Sequence, residues 1–160
     1  MLFFILLQRA KIQDFKEMFN PNLDINQLNN MRQGNMLEHV GIEFIEIGVD
    51  YIKAKMPVDH RTVQPLNMLH GGASVVLAET LGSIAAYLQV DPKEQYCVGL
   101  EVNANHIKSA LYGEMVFGTA MAIHIGKSTH VWEIKIVNQK EELICVSRIT
   151  MAVKNKKIRE

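Results

Sequence analysis

The alternation of apolar and polar positions divides the chain into strand-forming stretches around one helical interruption. Ile52, Ala54 and Met56 alternate with Lys53 and Lys55 until Pro57 closes the run, which is the two-residue period of a half-buried strand. Between Val131 and Val137 the pattern repeats, with Trp132, Ile134 and Ile136 on one face and Glu133 and Lys135 on the other. Further strands are predicted over residues 41–47, 96–104, 114–125 and 143–153. A short helix is predicted over residues 26–33, with Asp24 as its cap and Gly34 as its stop. The interruption runs from Gly72 to Gln89, GASVVLAETLGSIAAYLQ, without a proline. Val75, Val76, Ala78, Leu81, Ala85 and Leu88 surround its axis almost completely, so the spacing predicts a helix buried on most sides. One long buried helix among about six antiparallel strands is an α+β arrangement in which the sheet wraps the helix.

Composition narrows the partners. Of 160 residues, 48% are hydrophobic and 21% charged, which is ordinary globular usage and excludes disorder or a collagen-like fibre. Seventeen Lys+Arg balance seventeen Asp+Glu, so no net field gathers polyanions and nucleic acid is not expected as a partner. Near-zero charge also offers little protection against self-association, which is compatible with an oligomer. The two cysteines, Cys97 and Cys145, form neither a Cys-x-x-Cys pair nor a disulfide framework and suit a reducing, cytoplasmic compartment.

Met1 to Leu7 is entirely apolar but is followed at once by Gln8, Arg9 and Lys11. The run is too short for a membrane span, and its charge lies on the wrong side for a signal peptide. It reads as a helix start packing on the domain, a weak surface anchor, or residues upstream of a start at Met18. No repeat or linker divides the rest. The expected organisation is an extension over residues 1–25, a domain over 26–153 and a polar tail over 154–160.

Candidate chemistry gathers on the long helix. Glu79 and Ser83 interrupt its apolar surface four residues apart and so share a face. A carboxylate in a mostly buried helix costs several kcal/mol unless paired, neutralised or in a wet cleft. Glu79 is therefore either a structural partner of a Lys, an Arg or a subunit contact, or a nucleophile or general base. His70-Gly71-Gly72 opens the helix; free N–H groups there carry the positive end of the dipole and suit a developing oxyanion. The plain alternative is a turn that needs glycine. Gln64 alone reads as a solvated loop amide, and Ser83 alone as a hydroxyl bonding back to the carbonyl of residue 79.

Other motifs fail on inspection. Gly126-Lys127-Ser128 mimics the tail of a phosphate-binding loop, but Met121 stands where the required glycine would be. Six histidines show no metal-ligand spacing, so no metal site is expected, and no Gly-x-Ser-x-Gly elbow supports a serine nucleophile.

The stretches QPLNMLHGGASVVLAETLGSIAAY, VGLEVNANHIKSA and HIGKSTHVWEIKI resemble the hotdog-fold acyl-CoA thioesterases of the PaaI-like group. The likeness is strongest to the bacterial 1,4-dihydroxy-2-naphthoyl-CoA thioesterases of menaquinone synthesis and their enterobactin-proofreading relatives. It runs from about Asn30 to Val153. The resemblance implies Glu79 as nucleophile or base, the Gly71 N–H as oxyanion donor beside His70, Gln64 as the loop glutamine and Ser83 as the hydroxyl one turn past the acid. It implies coenzyme A binding by His106, Lys108 and Ser109, with Lys108 in place of a frequent arginine, and by Gly126, Lys127, Ser128 and His130. The order of that last loop departs from the family's usual one and leaves Lys127, Ser128 and His130 as alternative phosphate contacts. No cofactor is implied, since coenzyme A belongs to the substrate. Homodimers with sites between subunits, paired into tetramers, are the implied assembly.

Helix geometry bears on that assembly. Gly71 and Glu79 are eight residues apart, about 12 Å along a helix at ~1.5 Å per residue. A thioester carbon is attacked within roughly 3–3.5 Å, so one chain does not easily supply both groups to one substrate. The function expected is hydrolysis of an aromatic or bulky acyl-CoA; the alternatives are a hotdog dehydratase or hydratase and a non-catalytic acyl-CoA sensor.

Overall fold

Asp24 and Asn35 each accept a backbone N–H from two residues on, and each thereby starts a short helix. The computed structural model describes residues 18–20 and 23–156, so Met1 to Leu7 lies outside the described residues. Helix α1 spans Ile25–Asn30, with the Asp24 carboxylate 2.9 Å from the Asn26 amide. It ends earlier than the spacing predicts, and Gly34 (φ 71°) turns the chain into a second helix, α2, Met36–Val40, which the sequence pattern did not announce. Gly41 closes α2 in the left-handed region at φ 75°, so strand β1 starts at Glu43 and not at Gly41. The Asn29 amide clamps α1 to that strand, donating to the Phe44 carbonyl and accepting its N–H, both at 2.9 Å.

The strands are β1 (Glu43–Ile47), β2 (Tyr51–Pro57), β3 (Val63–Gln64), β4 (Met68–Leu69), β5 (Gln95–His106), β6 (Met115–Ile125), β7 (Thr129–Asn138) and β8 (Leu143–Asn155). Six of them form one antiparallel sheet in the order β1-β2-β6-β7-β8-β5, and β3 and β4 pair as a small hairpin. Helix α3, Gly71–Tyr87, lies across the sheet's inner face. Leu77, Ala78, Leu81 and Ala85 are fully buried in one cluster with Met56, Val116, Trp132, Ile134 and Ile149. Phe19 stacks on Trp132 with centroids 6.1 Å apart, which ties residues 18–20 to the core. The α+β fold read from periodicity is the fold found.

Helix and sheet meet closely because two glycines leave room. A Cβ on Gly82 would lie 2.2 Å from Ile149 Cγ2, and one on Gly118 would lie 2.5 Å from Leu81 Cδ1. Gly82→Ala gains about 1 kcal/mol of helix propensity but overpacks a β-branched neighbour, at a cost of about 1–3 kcal/mol. Net destabilisation of about 1 kcal/mol is expected in denaturant titration; a stabilised variant would mean that α3 sits farther from β8.

Candidate active site

The start of α3 is organised by its own cap. His70 is the N-cap, and its Nδ1 accepts the Gly72 N–H at 2.8 Å, so this ring nitrogen is spent on the first turn. The Ala73 and Ser74 N–H groups go to the His70 carbonyl, which leaves the Gly71 N–H as the donor still aimed out of the first turn. Buried Thr62 fixes the cap from below. Its carbonyl accepts the His70 N–H at 2.9 Å, while its hydroxyl donates to the Pro57 carbonyl at 2.7 Å. Sequence reasoning passed over Thr62, because its partners are backbone atoms remote in the pattern.

His106, at the end of β5, lies against Gly71: a Cβ there would be 2.7 Å from its Nε2. This is a physical reason for glycine at that position. Gly71, Ser74, His106, Lys108, Ser109 and Met68 are among the walls of one cavity of about 240 Å³. Lys108 pairs with Glu142, whose carboxyl is held below the usual range chiefly by that contact. Ser109 Oγ lies 3.4 Å from Met68 Sδ. Gln64 pairs with Met68 in the β3–β4 hairpin, and Leu69 N–H joins that hairpin to the Ala110 carbonyl at 2.8 Å. The hairpin thus sets Gln64 opposite Met68, a wall of that cavity, and the Gln64 side-chain carbonyl accepts the Leu66 N–H at 3.4 Å.

Glu79 stands elsewhere. The expected burial is not found: its side chain is exposed in the single chain and makes no hydrogen bond or ion pair with the described residues. The helix is apolar nearly all round, yet its sheet covers only one side. A Cβ on Gly99 would lie 3.6 Å from Glu79 Oε1, at the point where the β5–β8 register shifts between Gly99 and Glu101. Glu79 and Ser83 line a separate groove of about 360 Å³ with Thr80, Val76, Ile84, Met36 and Leu37. Ser83 does not bond back along its helix; its Oγ lies 3.9 Å from Met151 Sδ. Gly71 and Glu79 thus line two different cavities.

The profile of the thioesterase superfamily matches residues 66–145, a stretch that holds Gly71, Glu79 and His106. The 1,4-dihydroxy-2-naphthoyl-CoA hydrolase of Escherichia coli is 49% identical over 131 residues, covering 82% of this chain and 95% of that protein. The chain belongs to the thioesterase superfamily. Proofreading thioesterase EntH of Cronobacter turicensis is 41% identical over 133 residues, with 82% of this chain and 95% of that one covered. A crystal structure of a mutant thioesterase from Pseudomonas aeruginosa superposes with a TM-score of 0.84 at 45% identity, covering 87% and 99% of the two chains. Further relatives are named only as esterases. The protein is a thioester hydrolase of hotdog fold, as the resemblance implied.

In this thioesterase β8 serves as a ruler. His106 pairs with Cys145, while Gly99 and His130 both pair with Met151, six residues on and about 20 Å away at ~3.4 Å per residue. Gly71 and His106 therefore mark one end; Glu79, Ser83 and His130 mark the other. Gly126, Lys127 and His130 line a third cavity of about 370 Å³, and Ser128 accepts the Val153 N–H at 2.9 Å through its carbonyl. His130 is buried, with no partner for Nδ1; burial pushes its proton affinity down, the Gly126 backbone opposes this, and His124 adds to it. The residues named for coenzyme A thus fall into two sets at opposite ends of one thioesterase chain.

Among the described residues no cluster of His, Cys, Asp and Glu could hold a metal ion, and no helix is long and apolar enough to cross a membrane. Cys97 and Cys145 are free thiols, both pushed up by burial.

Proposed function

We propose that the chain hydrolyses an acyl-CoA whose acyl group is aromatic or otherwise bulky, 1,4-dihydroxy-2-naphthoyl-CoA being one candidate, at sites shared between two copies in the cytoplasm. The observation that carries this reading is the split itself: an unengaged oxyanion donor at one end of the chain and an unengaged carboxylate at the other. Strand β5 supplies the join. It is an edge strand of twelve residues, paired with β8 on one side and with no strand among the described residues on the other, and Tyr96, Val98 and Leu100 on it are 43%, 41% and 63% exposed. Such an edge invites another strand. A two-fold axis near Val102, midway between Gly99 and His106, would set the Gly71 end of one copy opposite the Glu79 end of the other. The same pairing would bring Lys108 and Ser109 of one copy toward Lys127, Ser128 and His130 of its partner, so both sets serve one coenzyme A. Two such dimers pair into a tetramer.

At each site the Gly71 N–H polarises the thioester carbonyl, with His70 holding the first turn and Gln64 positioning substrate or water. Glu79 either attacks the carbonyl, forming an anhydride that water opens, or takes a proton from the attacking water while Ser83 orients it. The C–S bond breaks, the acyl group gains the water oxygen, and the thiolate leaves without a strong acid behind it. No metal or other cofactor takes part.

The test is free-thiol release from benzoyl-CoA and a panel of aliphatic acyl-CoA and acyl-carrier-protein thioesters, without added metal. Release undiminished by chelator is expected. No release above the uncatalysed rate across the panel overturns the reading, and an enoyl absorbance change without thiol would indicate a hydratase.

A further inference from the structure

The groove beside Glu79 is lined by polar and apolar side chains together, and two elements build it. Val76, Glu79, Thr80, Ser83 and Ile84 come from α3 at helical spacing and so form one wall. The facing wall is Met36 and Leu37 of α2, the short helix that periodicity did not announce. We propose that α2 is the acyl-specificity element, with Leu37 as a fixed wall and Met36 as the residue that sets how long an acyl group the groove accepts. This rests on the thioesterase reading of Glu79 and adds to it the residue that selects the substrate.

The orientation follows from the reacting atoms. The thioester carbon must lie within about 3.5 Å of the Glu79 carboxylate or of a water held by it. Coenzyme A leaves toward the Gly71 end of the partner, so the acyl group extends the other way, along Val76 and Ile84 toward α2. Leu37 does not move easily. Its N–H is held by the Asn35 cap at 3.0 Å, and its carbonyl accepts the Ile42 N–H at 2.9 Å. Helix α2 is further pinned by the Gly34 N–H on the Glu38 carboxylate at 2.7 Å. Met36 differs: its side chain is unbranched and 56% exposed at the mouth of the groove. A flexible thioether there can fold over a short, flat acyl group and is pushed aside only at a cost by a long one.

The experiment compares kcat/KM for benzoyl-CoA and decanoyl-CoA in the wild-type chain, Met36→Ala and Met36→Trp. Opening the groove by several heavy atoms should raise the decanoyl-to-benzoyl ratio roughly tenfold in Met36→Ala, and closing it should lower the ratio by about as much in Met36→Trp. A ratio is read because general damage to the fold lowers both substrates together. If both variants keep the wild-type ratio to within about twofold, or if the two ratios move in the same direction, α2 does not select the acyl group. A wild-type chain inactive on both thioesters is a different result; it overturns the thioesterase reading and this inference with it.

Discussion

Glu79→Gln is expected to lower turnover by about 10²–10⁴-fold, the range typical of a lost acid-base group, with little change in substrate affinity. The amide keeps the size and polarity of the carboxylate but can neither attack a carbonyl nor take a proton from water. What makes the substitution informative is that Glu79 holds nothing together in the single chain: it is exposed and has no ion pair or hydrogen bond among the described residues. The melting temperature should therefore stay close to that of the wild type, so a fall in turnover reports chemistry and not unfolding. Near-full turnover by the purified variant would make Glu79 an ordinary surface carboxylate and remove the centre of the proposed site.

The case of Glu79 also marks what periodicity can and cannot tell. A run apolar on nearly every side correctly gave α3, because no proline between Gly72 and Gln89 interrupts it. The same run misplaced Glu79, because an apolar pattern sums every surface the helix meets, inside the chain and outside it. Val76 and Ile84 pack against the core only in part and also line a groove. Helix α2 escaped for a different reason: five residues are less than two turns and carry no period. Its signal was the cap, Asn35 followed three residues later by Glu38. The approach of His106 to Gly71 is the third kind of case, a contact between residues 35 apart in sequence that only strand register creates. Local chemistry was legible, and what spans the sheet was not.

The shared site makes a prediction that needs only two impaired chains. If Gln64 and Gly71 of one copy face Glu79 of the other, a dimer of Gln64→Ala with Glu79→Ala has one site with both groups intact and one with both lesions. With equal amounts and random exchange, half the dimers are mixed and roughly a quarter of all sites recover. The recovered rate must exceed the sum of the residual rates of the two variants, which requires Gln64→Ala to be well impaired when alone. The groove adds a check on chain identity. Met36 lies beside Glu79 on the same chain. Met36→Ala placed on the Gln64→Ala chain should alter the acyl preference of the recovered site, whereas the same change on the Glu79→Ala chain should not. Proven exchange, followed by mass-labelled subunits, with no return of activity would place Gly71 and Glu79 in separate functions. The roughly 12 Å between them along α3 would then be simply the distance between two unrelated features of one helix.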